Sequence, residues 1–194
     1  MRIVKKFYSR DPETVLVSRI FDEAIRKSTV PLNFSFLEVE LGPGETSVNE
    51  DNAKVSIDTG SPLLLEKDRR LARVIVTHEL FRLVARKMVD NVPRFIEDVV
   101  TGREMVRAGY ADDLSYLYFI RMMKNEKLAD ADALSLNLPW LVFWKTDSFY
   151  YDLFRSISKR VAAGEKASRL FNTMKGNLLD KSILENAVKL YKGL

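Results

Sequence analysis

The side chains of this sequence with the clearest potential for chemistry are those of His78, Glu79 and Arg82. Arg82 follows His78 by four positions, so a helix would place the two on the same face. When two histidines have this spacing and a glutamate follows the first, the histidines can bind Zn²⁺ and the glutamate can act as general base on a metal-bound water. Arginine offers no lone pair to a metal and carries a positive charge. The pattern therefore predicts a hydrolytic site that lacks one ligand.

The rest of the composition cannot replace that ligand. The chain of 194 residues has one histidine and no cysteine, so no zinc site based on these residue types can be completed within it. The lack of cysteine also excludes disulfides and suits a reducing compartment. The most apolar stretch, residues 133–144, is about a dozen residues long and is too short to cross a bilayer. We expect a cytoplasmic protein with no bound cofactor and no membrane partner.

Charge is unevenly distributed along the chain. Residues 29–60 carry a net charge of −5 and residues 145–194 a net charge of +5, within a total of +4. A basic C-terminal region can indicate an association with nucleic acid. The basic residues form no dense run and no nucleic-acid-binding motif, so solvated faces are the preferred interpretation. Nucleic-acid association through basic C-terminal helices remains an alternative.

The elements around the motif predict an α+β fold. Asp11 and Pro12 are typical of a helix start, and alternating apolar residues then predict two strands before a helix that carries His78. The remainder reads as helical, with Gly109 ending the second helix after the strands. We predict a small antiparallel sheet near the N-terminus, packed on a mainly helical domain. The expected strands are 32–41 and 53–58, the expected motif helix is 62–90, and the expected second helix ends near 108.

These elements are expected to form a single domain of residues 1–194. Its core would extend to about residue 108, and residues 110–194 would form a helical C-terminal half. Trp140 and Trp144 lie four residues apart in that half, with Phe143 between them and further aromatic residues following. Such a cluster could line a ligand groove, but aromatic residues concentrate in cores, so we expect it to form the core of the helical half.

Residues 32–108, a strand pair followed by two helices with a His-Glu pair on the first, resemble the zincin metallopeptidases, in particular the gluzincin branch. The segment Arg94–Met105 also resembles the second-helix segment of small archaeal zincin-like proteins. The resemblance implies that a short sheet precedes the motif helix, that its edge strand binds peptide, and that a glutamate on the next helix is the third metal ligand. The edge of strand 53–58 would then be the place for a peptide or protein partner.

Carried onto this sequence, the resemblance assigns His78 as the first metal ligand and Glu79 as the general base. Arg82 occupies the position of the second ligand. Glu97 and Glu104 are both candidates for the third ligand, with Glu97 preferred. Because a buried carboxylate requires a nearby cation, we expect Arg82 to form a salt bridge with Glu97 or, as second choice, with Glu79.

These assignments predict a degenerate zincin-like protein, without peptidase activity, whose role is binding or scaffolding. The first alternative is a metal-dependent hydrolase with a nonstandard site, in which His78 and either Glu97 or Glu104 bind the metal and Glu79 is the base. Zinc would be a cofactor only in that alternative. The second alternative is the nucleic-acid-associated protein described above.

Overall fold

The computed structural model describes residues 2–9, 11–27, 35–49, 51–60, 68–89, 91–124, 133–159 and 164–194. Within these ranges the chain forms four strands and eight helices, which confirms the α+β class. The strands are β1 (Arg2–Phe7), β2 (Phe36–Gly42), β3 (Ser47–Asn49) and β4 (Lys54–Asp58). The helices are α1 (Pro12–Lys27), α2 (Arg69–Met88), α3 (Arg94–Arg107), α4 (Ala111–Lys124), α5 (Ala133–Phe143), α6 (Ser148–Ser158), α7 (Glu165–Met174) and α8 (Lys181–Lys192).

The chain divides into two compact units, Met1–Lys87 and Met88–Leu194. The first unit holds the sheet with α1 and α2, and the second holds α3 to α8. The boundary between the units lies at the end of α2, whereas the predicted core extends to about residue 108. Among the described residues, no helix combines the length and the apolar character needed to cross a membrane.

The sheet of the first unit has the strand order β1-β2-β4-β3. The β1–β2 and β2–β4 pairs are parallel, and only β3 and β4 pair antiparallel. The prediction of an antiparallel sheet is therefore wrong for two of its three strand pairs. The reason is that α1 connects β1 to β2 as a crossover, which allows parallel pairing, while β3 takes the antiparallel place beside β4.

Strand β1 was not predicted from the sequence, because Arg2–Phe7 shows no regular alternation of apolar and polar residues. By contrast, β2 and β4 alternate as expected and bury one face, which consists of Leu37, Val39, Leu41, Val55 and Ile57. Helix α1 contacts β2 and buries Val17, Ile20 and Phe21 in the same unit. Its start is confirmed: the Asp11 carboxylate accepts a hydrogen bond of 2.6 Å from the backbone N–H of Thr14, as an N-cap does.

The prediction that strand 53–58 is an exposed edge is also wrong. This strand is β4, and it lies between β2 and β3. The edge on that side is β3, which is only three residues long. The guanidinium of Arg86, on α2, donates a hydrogen bond to the carbonyl of Val48 in the middle of β3. This hydrogen bond thus connects the short edge strand to the helix that carries His78.

The second unit is a helical assembly with an aromatic core. Trp140, Phe143 and Phe154 are almost fully buried, and the Phe143 and Phe154 rings stack with their centroids 5.6 Å apart. This confirms the expected core role for these three members of the aromatic cluster, whereas Trp144 is only partly buried and Phe149 is 70% exposed. Helix α3 ends as predicted: Gly109 has a φ of +91°, a left-handed conformation that favours glycine after a helix C-terminus.

Candidate functional site

Helix α2 positions the three residues of the motif. The Asp68 carboxylate accepts hydrogen bonds from the backbone N–H groups of Arg70 (2.8 Å) and Leu71 (3.1 Å), and so caps the N-terminus of the helix. The expected helix start at residue 62 lies outside the described residues. At the other end, Arg86 and Lys87 occupy the last turn, where cations interact favourably with the helix dipole.

The middle of α2 is buried on every face. All residues from Val74 to Leu83 are buried, including His78, Glu79 and Arg82 at 4%, 5% and 3% exposure. A helix buried all round is normally apolar throughout. Charged groups removed from water in this way are stable only when they are paired and hydrogen-bonded. The pairing of these three side chains is therefore the central feature of the site.

Both carboxylate oxygens of Glu79 are bound by side chains of its own helix. Nη1 of Arg82 lies 3.1 Å from Oε2 of Glu79, and Nδ1 of His78 lies 3.2 Å from Oε1. The second contact favours the His78 tautomer that carries its proton on Nδ1, which leaves the lone pair on Nε2. Arg82 thus pairs with Glu79, the second choice of the prediction, and its pairing with Glu97 stays a prediction.

The two candidate third ligands lie in the second unit, on α3. Glu97 is buried, with 4% exposure. Glu104 forms an ion pair with Arg107 one turn along the same helix, and its side chain is 21% exposed. Glu104 therefore has a cationic partner of its own near the surface. The choice between Glu97 and Glu104 as a vestigial ligand stays a prediction.

The donor set on α2 does not fit a catalytic zinc ion. Such a site needs three protein ligands and one open position, but α2 supplies one imidazole, an already paired carboxylate and a fixed cation. Among the described residues, no group of three or more His, Asp or Glu side chains is placed to hold a metal ion.

Sequence reasoning missed a second candidate site, a cavity of about 650 Å³ in the helical unit. Its walls include four basic residues, one acidic residue and one tryptophan, which are Arg103, Arg107, Lys145, Lys175, Glu104 and Trp144. In the sequence these residues are spread over more than seventy positions. The one local signal was the Trp144-Lys145 pair at the end of the most apolar stretch.

Arg103 is the buried member of this set. Its guanidinium donates hydrogen bonds to the backbone carbonyls of Leu141 (3.0 Å), Met174 (2.6 Å) and Gly176 (3.1 Å). These carbonyls lie at the C-terminal ends of α5 and α7, where unpaired helix carbonyls need donors. Burial, and to a lesser extent the positive charge of Arg107, lowers the pKa of Arg103 to about 10. Arg103 therefore remains a cation at neutral pH, and its hydrogen bonds connect the C-terminal ends of α5 and α7.

Comparison of this chain with protein-family models, with curated proteins and with solved structures finds no match. The resemblance to zincins therefore rests on the residues and the order of elements described above.

Proposed function

We propose that this protein is a zincin-like protein without peptidase activity that acts by binding or scaffolding. The observation that carries the proposal is the pairing of Glu79. A general base must accept a proton from water through a free carboxylate oxygen. Both oxygens of Glu79 are instead within hydrogen-bond distance of His78 and Arg82, in a site with about 5% exposure.

Electrostatics also oppose metal binding on α2. The interaction of two unit charges 4 Å apart is about 1 kcal/mol in water and about 4 kcal/mol at an effective dielectric of 20. A dication approaching His78 would meet the buried guanidinium of Arg82, and its double charge would double that repulsion. The guanidinium thus supplies to Glu79 the positive charge that a metal would supply in an active enzyme.

The order of elements gives further support. A sheet precedes the helix that carries His78, which is the arrangement that the zincin resemblance implies. The edge strand beside β4 is β3, and its Val48 carbonyl is already bonded to Arg86. This three-residue edge offers only a short run of backbone groups for aligning an extended substrate for cleavage. We also propose that this role is cytoplasmic, because a sequence without cysteine suits a reducing compartment.

The test is to purify the protein without chelator and to measure zinc by elemental analysis and hydrolysis of a peptide library. We expect less than stoichiometric zinc and no cleavage. Close to one equivalent of zinc retained through dialysis, or cleavage abolished by Glu79→Gln, would contradict the proposal and favour the nonstandard hydrolase.

The Arg82→His variant tests the ancestry behind the proposal. It restores two histidines at positions i and i+4, which with one glutamate form a catalytic-type ligand set. We expect zinc to raise the melting temperature of this variant, because a ligand at 100 times its Kd stabilises the folded state by about 2.7 kcal/mol. The parent protein should show no shift. In the Arg82→His background, Glu97→Gln should remove the zinc effect and Glu104→Gln should leave it unchanged.

A further inference from the structure

The cavity of the helical unit has a surplus of positive charge. Arg107 is neutralised by Glu104, which leaves Arg103, Lys145 and Lys175 as uncompensated cations in its walls. Among the described residues, none of these three cations has a carboxylate partner within ion-pair distance.

Helix dipoles account for only part of this charge. Helices α3, α5 and α7 end beside the cavity, and each C-terminus carries about half a negative charge. Together they contribute roughly −1.5 charges against three cations. A surplus of about 1.5 positive charges remains, and a partly enclosed space focuses such a field on whatever enters it.

Lys145 occupies a position that would favour glycine. It follows the C-terminus of α5 with a φ of +59°, and a left-handed residue at this place in a helix is usually glycine. A lysine there carries backbone strain that glycine would avoid. Its side chain nevertheless lines the cavity, where its charge is available to a ligand.

Trp144 also lines the cavity. Its indole Nε1 is buried and finds no acceptor among the described residues, whereas the indole of Trp140 donates to Asn137 over 2.6 Å. The ammonium of Lys175 lies 5.1 Å from the centroid of the Trp144 ring, which holds that cation beside the indole.

We propose that this cavity binds a small molecule through an anionic group, a carboxylate or a phosphate, held by Lys145 and Lys175 beside Trp144. The anion offsets the surplus charge around Arg103. The volume of about 650 Å³ is in the range of pockets for small metabolites. This site is independent of the His78 region, so its failure would leave the proposed function unaffected.

The experiment titrates the full chain with inorganic phosphate and, separately, with succinate at constant ionic strength. Binding is followed by the two indole N–H signals in a ¹H–¹⁵N spectrum. We expect a saturable shift of the Trp144 signal, with the hydrogen-bonded Trp140 signal moving less. Saturation by phosphate alone identifies a phosphorylated ligand, and saturation by succinate alone identifies an organic acid. No saturation with either anion below about 10 mM overturns the proposal.

Four variants distinguish binding from folding. Lys145→Gly relieves the backbone strain, so its melting temperature should not fall, yet its affinity for the bound anion should drop about tenfold or more. Lys175→Met should weaken binding similarly, and Glu104→Gln should strengthen it by freeing Arg107. Lys181→Met, which removes an exposed lysine of α8 outside the cavity, should change nothing. A folded Lys145→Gly protein with parental affinity would refute the site.

Discussion

At the scale of single residues, Arg82 is a cation in the part of α2 that is buried on every face. A charged residue inside a buried apolar helix must have a counter-charge, so a salt bridge could be predicted. The partner could not, because the sequence offers both Glu79, one helical turn away, and Glu97, on the following helix, and residue spacing alone does not choose between them. Glu79 and Arg82 are 3.1 Å apart, so this pair forms within a single helix.

The Arg82→Ala variant should therefore be much less stable than the parent protein. In Arg82→Ala the Glu79 carboxylate stays buried without its cation, and a broken buried pair of this kind typically costs about 3–5 kcal/mol. The free energy of unfolding in urea at neutral pH measures the loss. A cost below about 1 kcal/mol, as for an exposed pair, would mean that the pair is solvated in solution.

The double variant Glu79→Leu/Arg82→Met is the matched control. It removes both charges and keeps the volume roughly constant, and replacement of a buried pair by apolar residues is often neutral or stabilising. We expect its stability to lie close to that of the parent and well above that of Arg82→Ala. If both variants lose the same free energy, side-chain packing rather than the stranded charge explains the loss.

At the scale of elements, local sequence patterns correctly predicted helix ends but did not predict the strand order. The start of α1 at Pro12 and the turn at Gly109 follow from capping and from left-handed glycine geometry. These depend on residues that are neighbours in sequence. The parallel pairing of β1 with β2 depends instead on contacts across α1, and no short pattern specifies such pairing. The basic cavity was missed for the same reason, because its walls come from three separate segments.

Helix α8 offers a test of capping by its pH dependence. The Asp180 carboxylate accepts hydrogen bonds from the hydroxyl and N–H of Ser182 and from the N–H of Ile183. These bonds, the Ser182 hydroxyl first, lower the pKa of Asp180 below its usual 3.8. The folded state therefore holds the proton less tightly than the unfolded state, so the stabilisation is complete above pH 3.8 and is lost as the pH falls through the lowered pKa.

We expect Asp180→Asn to match the parent at neutral pH, because asparagine caps helices about as well as aspartate. Between about pH 4 and pH 2 the melting temperature of the parent should fall more steeply than that of Asp180→Asn. Asp180→Ala should be less stable than both at neutral pH. Parallel melting curves for the parent and Asp180→Asn across the acid range would show that the carboxylate is not the cap in solution.

At the scale of the whole molecule, the charge asymmetry of the sequence has two different outcomes. In the acidic region, Glu40 is paired with Lys54 at 2.7 Å and Glu38 with Lys6 at 3.0 Å across the sheet. The bond to Lys54 is the main reason that the pKa of Glu40 is lowered. These strands are thus largely neutralised within their own unit. In the basic region, Lys145 and Lys175 line a cavity and have no carboxylate partner among the described residues. This lack of a partner supports the anion site that we propose there.

The division into two units predicts that residues 88–194 fold without the rest of the chain. This unit contains its own core, built around Trp140, Leu141, Phe143, Phe154 and Leu170, and its size of roughly a hundred residues is typical of independent domains. Both tryptophans of the chain lie within it, so their fluorescence reports on this unit alone. We expect the fragment to show the blue-shifted emission of the full chain and a cooperative transition in urea. A fragment with the emission of exposed tryptophan, or with a gradual transition, would show that the helical unit needs residues 1–87 to fold.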